Sequence, residues 1–245
     1  MTGALDGRRV LITGASSGIG SAIADAIVAA GGRVALVARS ADALAEQAER
    51  LGDAAVAAPA DVTDADALAA ATERAADELG GLDAVVCSAG LVRPGGILET
   101  SPDDWQVMFD VNVMGVLNTV HGALGRLRAA ETADVIVLSS MSGRRRSSVA
   151  MGFYSASKFA VHVLSDSLRE ELGPEGVRVT VISPGFVNTP IFDGVEDDAT
   201  REQYQTAVST QGLPPEAVAA NVVHALAQPA GVDLVEIAML STEQH

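Results

Sequence analysis

Seven short apolar runs, each separated from the next by a longer helical stretch, constrain this 245-residue chain more than any other feature. Val10–Thr13, Val34–Ala38, Ala54–Ala60, Ala84–Ser88, Val135–Ser139, Val177–Ile182 and Leu234–Met239 read as strands. Most are continuously apolar rather than alternating, the pattern of strands covered on both faces. Between them lie helical stretches at Ile19–Ala30, Ala41–Leu51, Ala65–Leu79, Pro102–Ala130, Tyr154–Leu172 and Pro215–Ala227. Asp64 and Ser101 are N-cap candidates, and Pro102 suits the first helical turn. Alternation of this kind, with right-handed crossovers, predicts an α/β fold: a doubly wound parallel sheet of Rossmann type, about seven strands with helices on both faces. No linker or fixed-period repeat divides residues 1–245, so a single domain is expected. Asp193–Gln211 is acidic, polar and weakly periodic, and a stretch of that length without strong structure reads as a lid at about residues 190–212.

Composition removes several classes of function. The chain has 16 basic and 32 acidic residues, a net charge of −16, which argues against a nucleic-acid partner. Apolar residues at 48% and charged residues at 20% are ordinary globular values and exclude disorder. One cysteine, Cys87, forms no internal disulfide and points to a reducing, cytoplasmic compartment. There is no run of 18 consecutive apolar residues, so no membrane span is expected. Arg8-Arg9 before the uncharged Val10–Ala24 superficially resembles a twin-arginine signal, but Gly14, Ser16, Ser17, Gly18 and then Asp25 break the apolar run. His121, His162, His224 and His245 have no ligand spacing, and no metal is expected.

Thr13-Gly14-Ala15-Ser16-Ser17-Gly18-Ile19-Gly20 follows the first strand and opens the first helix. Glycines there allow a tight turn and close backbone approach to a pyrophosphate, which the helix N-terminus attracts. At the end of the second strand, Ala38 stands where an acidic residue would hold the adenosine ribose of NAD, and Arg39 and Ser40 follow. With no carboxylate to repel a 2′-phosphate, and with an arginine fork beside it, NADP(H) is the expected cofactor. Tyr154 and Lys158, four apart, share one helix face.

In this order along the chain, Gly14-x3-Gly18-x-Gly20, Asp61-Val62, Cys87-Ser88-Ala89-Gly90, Asn112, Ser140, Tyr154-x3-Lys158 and Pro184-Gly185-x3-Thr189 resemble the motifs of the short-chain dehydrogenase/reductase family. The resemblance implies dinucleotide contacts from Gly14, Ser16, Ser17, Gly18, Ile19, Gly20, Asp61, Val62, Ser88, Ala89, Gly90, Pro184, Gly185, Val187 and Thr189, besides Arg39 and Ser40. It implies that Tyr154 is the acid/base and that Ser140, in Ser140-x-x-Gly143, bonds the same substrate oxygen. Lys158 would hold the nicotinamide ribose. A free tyrosine has a pKa of ~10, and a nearby ammonium together with the positive nicotinamide ring is expected to lower it. For Asn112 two readings stand side by side: a water-mediated proton relay to Lys158, or a satisfied structural kink. Cys87 and Ser88 replace two asparagines common in the family motif, and Cys87 reads as a small buried hydrophobe.

Arg144-Arg145-Arg146 falls between Ser140 and Tyr154 and reads either as a recognition element for an anionic substrate, a carboxylate or an acyl-carrier phosphopantetheine, or as a solvated loop or subunit contact. Trp105, Met108, Phe109, Val113, Val116, Val120, Phe159, Val163 and Leu168 suggest a second apolar face on the two long helices. A homotetramer, with a dimer next, would cover it. The expected function is NADPH-dependent reduction of a small-molecule carbonyl, or oxidation of the corresponding alcohol. The tail Leu213–Met239, with Val235-Glu236-Ile237, resembles a branch acting on small hydroxy acids or secondary-metabolite carbonyls. The alternatives are a 3-oxoacyl-acyl-carrier-protein reductase, a non-catalytic NADPH-sensing regulator, and an epimerase or dehydratase.

Overall fold

Strand residues alternate between two apolar layers, which is why the runs are apolar throughout. The computed structural model describes residues 3–145 and 148–244. Its strands are β1 (Arg9–Thr13), β2 (Arg33–Val37), β3 (Ala55–Ala57), β4 (Ala84–Cys87), β5 (Ala133–Leu138), β6 (Val177–Pro184) and β7 (Glu236–Met239). They form one parallel sheet in the order β3-β2-β1-β4-β5-β6-β7. Its helices are α1 (Gly18–Ala29), α2 (Ala41–Leu51), α3 (Ala65–Leu79), α4 (Pro102–Phe109), α5 (Gly115–Ala129), α6 (Gly152–Leu172), α7 (Asp198–Gln211) and α8 (Pro215–Leu226). Val10, Ile12, Val34, Leu36 and Ile136 point to one layer with Ile23 and Ile27 of α1 and Val222 of α8. Leu11, Ala35, Val37, Val135 and Val137 point to the other, with Leu68 of α3 and Val120 of α5. Full burial of each large aliphatic side chain contributes roughly 1.5–3 kcal/mol. The expected Rossmann-type single domain is what the chain forms. The strand order reverses between β1 and β4, so a crevice opens at their C-terminal ends.

Three expectations need correction. The third strand was expected over Ala54–Ala60, but Gly52–Ala54 is a 3₁₀ turn and the regular strand ends at Ala57. Pro59 has no N–H, which an edge strand tolerates, and Ala58 and Ala60 still donate to the carbonyls of Leu36 and Ala38. The polar lid segment is not weakly structured. Asp197 caps α7 by accepting from the Thr200 N–H at 2.8 Å, Val208 is buried, and Tyr204 stacks on Phe192 at 4.7 Å. One narrow stripe suffices there because the helix touches a single neighbouring wall.

The third correction concerns the proposed second apolar face. Met108, Val113, Val116 and Val120 are buried inside the domain. Phe159 and Val163 remain exposed on α6, with Met114 exposed at the end of the turn before α5. The helix from Pro102 runs on to Ala129, and its 28 residues have the length and apolarity of a membrane span. Here it is a core helix, with α5 laid against α3, β4 and β5. It is widened by a π turn at Asp110–Met114, the kind of bulge that marks a functional position.

Candidate active site

Tight backbone at the C-terminal edge of the sheet shapes the first half of the crevice. Gly14 has φ +68°, and a Cβ there would lie 2.8 Å from Ala89. A Cβ on Gly20 would lie 2.3 Å from the Gly14 carbonyl oxygen. Glycine is therefore required at both positions, by strain at the first and by close packing at the second. Thr13 Oγ1 accepts from the N–H groups of Ser88 and Ala89 at 3.1 and 3.2 Å, which binds the Cys87–Gly90 turn to β1. The Ser17 side chain makes no cap bond and no acidic residue sits in the first turn of α1, so that helix end offers its N–H groups and positive dipole to an anion.

A groove of about 510 Å³ runs over this floor, lined by Gly14, Ser16, Ser17, Gly18, Ile19 and Gly20 at one end. Ala38, Arg39, Ser40, Asp61, Val62, Ser88, Ala89, Gly90 and Thr189 line the rest. Asp61 is not free: its carboxylate accepts from both the N–H and the hydroxyl of Thr63 at 2.9 Å. Ser40 caps α2 through the Ala43 N–H at 3.4 Å. No carboxylate pairs with Arg39 among the described residues. A glycine floor and a helix N-terminus fit a dinucleotide.

The groove continues into a cleft of about 610 Å³, which Ile19, Ser88, Gly90 and Thr189 share with it. Ser140, Tyr154 and Lys158 line this cleft together. Ser140 ends β5, and its Oγ accepts from the Ser142 N–H at 3.1 Å. Its hydroxyl also acts on the Tyr154 phenol, favouring the ionised form. Lys158 Nζ donates to the Leu138 carbonyl at 2.9 Å and stands 5.8 Å from the centre of the Tyr154 ring. Pro184, Gly185 and Val187 line the opposite wall.

Burial dominates the electrostatics of the cleft. Burial pushes the Tyr154 phenol up to about 12, and the Ser140 hydroxyl offsets only part of that rise. Burial also lowers the Lys158 ammonium to about 8. Desolvation is the larger of the two influences on the phenol. Cys87, fully buried, is likewise pushed up to about 12, which makes it an inert packing residue.

Asn112 sits in the π turn and is fully buried. Its Oδ1 accepts from the Leu91 N–H at 2.9 Å, and its Nδ2 donates to the Leu91 carbonyl at 2.9 Å and to Ser157 Oγ at 3.1 Å. The amide thus ties the strand-end loop to α6. Both Asn112 Oδ1 and Lys158 Nζ lie within 4 Å of the place a Gly90 Cβ would occupy. Arg144 pairs with Glu236 at 3.6 Å, Arg145 lines the cleft, and Arg146 lies outside the described residues, as does His245.

Several cleft residues carry no signal in the sequence. Gln244 Oε1 accepts from the Phe186 N–H at 2.9 Å, folding the C-terminal tail over Gly185 and into the cleft. Met151 and Tyr204 add apolar wall from α6's leading turn and from α7. Such placements arise from tertiary contact between segments far apart in the chain, and no local pattern announces them.

The model of the short chain dehydrogenase family matches residues 8–200. An uncharacterized oxidoreductase of Staphylococcus saprophyticus is 35% identical over 240 residues, 95% of this chain and 97% of that one. A glycine betaine reductase of Emericella nidulans is 37% identical over 238 residues; the match covers 96% of this chain but only 19% of that much longer protein. Among solved structures, an alcohol dehydrogenase from Thermococcus sibiricus complexed with 5-hydroxy-NADP superposes with TM-score 0.86 at 28% identity, covering 97% of this chain and 98% of that one. A short-chain dehydrogenase/reductase from Burkholderia phymatum in complex with NAD superposes with TM-score 0.87 at 29% identity, covering 96% and 89%. With the ordered glycine floor, the Ser140–Tyr154–Lys158 cleft and these relatives in agreement, the chain belongs to the short-chain dehydrogenase family of oxidoreductases.

Proposed function

We propose that this chain is an NADPH-dependent reductase of small-molecule carbonyls, with Tyr154 as the acid that protonates the substrate oxygen. The observation that carries the reading is the shared cleft of Ser140, Tyr154 and Lys158 opening from a groove floored by the glycine turn. Bound nicotinamide supplies the hydride. The chain's own residues do the rest. Ser140 and Tyr154 line the same cleft, where a carbonyl oxygen accepts from both hydroxyls. A phenol held near 12 is fully protonated at neutral pH, ready to donate. The Lys158 ammonium beside it stabilises the phenolate as the proton leaves. Any relay from Lys158 through Asn112 runs by its main chain, since the side-chain amide is engaged with Leu91 and Ser157. Helix α7 and the loop before it act as the lid. The exposed Phe159 and Val163 support a subunit contact on α6, and the single cysteine fits a cytoplasmic setting. Consumption of NADPH with a panel of activated ketones tests the reading, and dinucleotide binding with no turnover of any carbonyl would favour a sensor instead.

Two predictions follow from the same residues. Ala38→Asp places a carboxylate at the groove beside Arg39 and should move the NADPH-to-NADH ratio of kcat/KM toward NADH by about 10–100-fold, each tenfold being ~1.4 kcal/mol. Equal use of both cofactors by the unaltered protein would refute the assignment. The second prediction concerns pH. Lys158 is charged below about 8 and neutral above, so kcat/KM for NADPH in ketone reduction should be flat at lower pH and fall as pH rises through that value. This parameter reports the free enzyme, the state to which the lowered value belongs. A profile still flat a full unit above would remove the lysine from the proton balance.

A further inference from the structure

We propose that the substrate is an oxo acid carrying an apolar chain, with Arg145 as the residue that recognises its carboxylate; this rests on the reductase reading above. The cleft's charge runs against that of the protein. In a chain with 32 acidic and 16 basic residues, the described residues lining the cleft include two cations, Arg145 and Lys158, and no aspartate or glutamate. A low-dielectric cleft lined by one sign of charge concentrates ligands of the other. Lys158 is engaged deep in the site with the Leu138 carbonyl, which leaves Arg145 for a group further out. Its neighbour Arg144 is spent on Glu236, while no carboxylate among the described residues pairs with Arg145. Ser148 Oγ, in the same wall, is buried and has no hydrogen-bond partner among the described residues. The cleft also presents Met151, Phe192, Tyr204 and Val208, which cluster with Tyr154, a surface for an alkyl chain. A guanidinium forks onto a carboxylate with two parallel bonds, a geometry that an ester or an amide cannot reproduce.

The test compares 3-oxohexanoate, its methyl ester and its neutral N-acetylcysteamine thioester, with the unaltered protein, Arg145→Met and Arg145→Lys. The unaltered protein should favour the acid over the ester by about tenfold or more in kcat/KM. Arg145→Met should lower the value for the acid by about 10–100-fold, mainly through KM, and leave the ester within about threefold. Arg145→Lys, which keeps the charge and loses the fork, should fall between. An ester used as well as the acid, or a Met variant that slows both alike, overturns the proposal. Preference for the thioester overturns it in favour of an acyl-carrier substrate. If none of the three oxidises NADPH, the panel of activated ketones decides the reductase reading, and calorimetric titration of hexanoate and methyl hexanoate into the NADP-saturated protein decides the anion claim separately. Hexanoate binding that weakens in Arg145→Met sustains it, and equal binding of acid and ester removes it.

Discussion

Tyr154→Phe is expected to lower the rate of carbonyl reduction by about 10²–10⁴-fold, the range a positioned general acid contributes. The substitution removes one oxygen and leaves the ring, which is packed with Met108 and Met151 in the apolar wall. Dinucleotide binding should persist, because the glycine floor, the α1 N-terminus and Lys158 are untouched. Ser140 keeps its bond to the Ser142 N–H at 3.1 Å, so the end of β5 holds its shape. The loss should fall on kcat and on kcat/KM together, the signature of an interaction made in the transition state. NADPH absorbance decay and fluorescence titration of NADPH measure the two halves. A variant that retains its rate within about tenfold would take the proton-donor role from Tyr154.

The second large effect is on stability and lies at the opposite end of the sheet. Asp134 is almost fully buried and accepts from Arg178 Nε at 2.7 Å and Nη2 at 2.9 Å, and also from Arg8. Arg178 in turn donates to the carbonyls of Gln228 and Val232, which pins the chain between α8 and β7. Asp134→Ala leaves two guanidinium groups facing each other with no anion between them. Breaking a buried pair from one side costs about 3–5 kcal/mol. Arg8 reaches some solvent, with 17% of its side chain exposed, which places the effect toward the lower end. Against a total stability of about 5–15 kcal/mol this is a large share, and for a chain of this size it should lower Tm by about 10 °C. Denaturant unfolding checks it. Asp134→Leu combined with Arg178→Met should cost less than Asp134→Ala, since both charges then leave the interior together.

Much of the site was legible because the residues that build it are close in sequence. Gly14, Gly18 and Gly20 belong to one turn, and Tyr154 and Lys158 to one helical turn, so spacing alone places each set. Strand and helix periods likewise need only a few residues to show themselves. The lid failed this test. Tyr204 and Val208 are a stripe of two in a polar segment, too thin to read as a helix until Phe192 and the cleft wall are seen beneath them. The α5 part of the second apolar face misled for the converse reason: Val113, Val116 and Val120 looked surplus to one stripe, but α5 is covered by strands on one side and by α3 on another, while Phe159 and Val163 of α6 stay exposed.

The sequence by itself determined the parallel α/β architecture, the dinucleotide turn and the pairing of a phenol with an amine one helical turn away. Each follows from short-range backbone and side-chain geometry. Only the tertiary structure decided how deeply Tyr154 and Lys158 are buried, that Arg145 and not Arg144 faces the cleft, that Asn112 spends its amide on Leu91 and Ser157, and that Gln244 returns to Phe186. Desolvation and ion pairing sum over neighbours that the chain brings together from far apart. They exist only once the sheet has closed over its core.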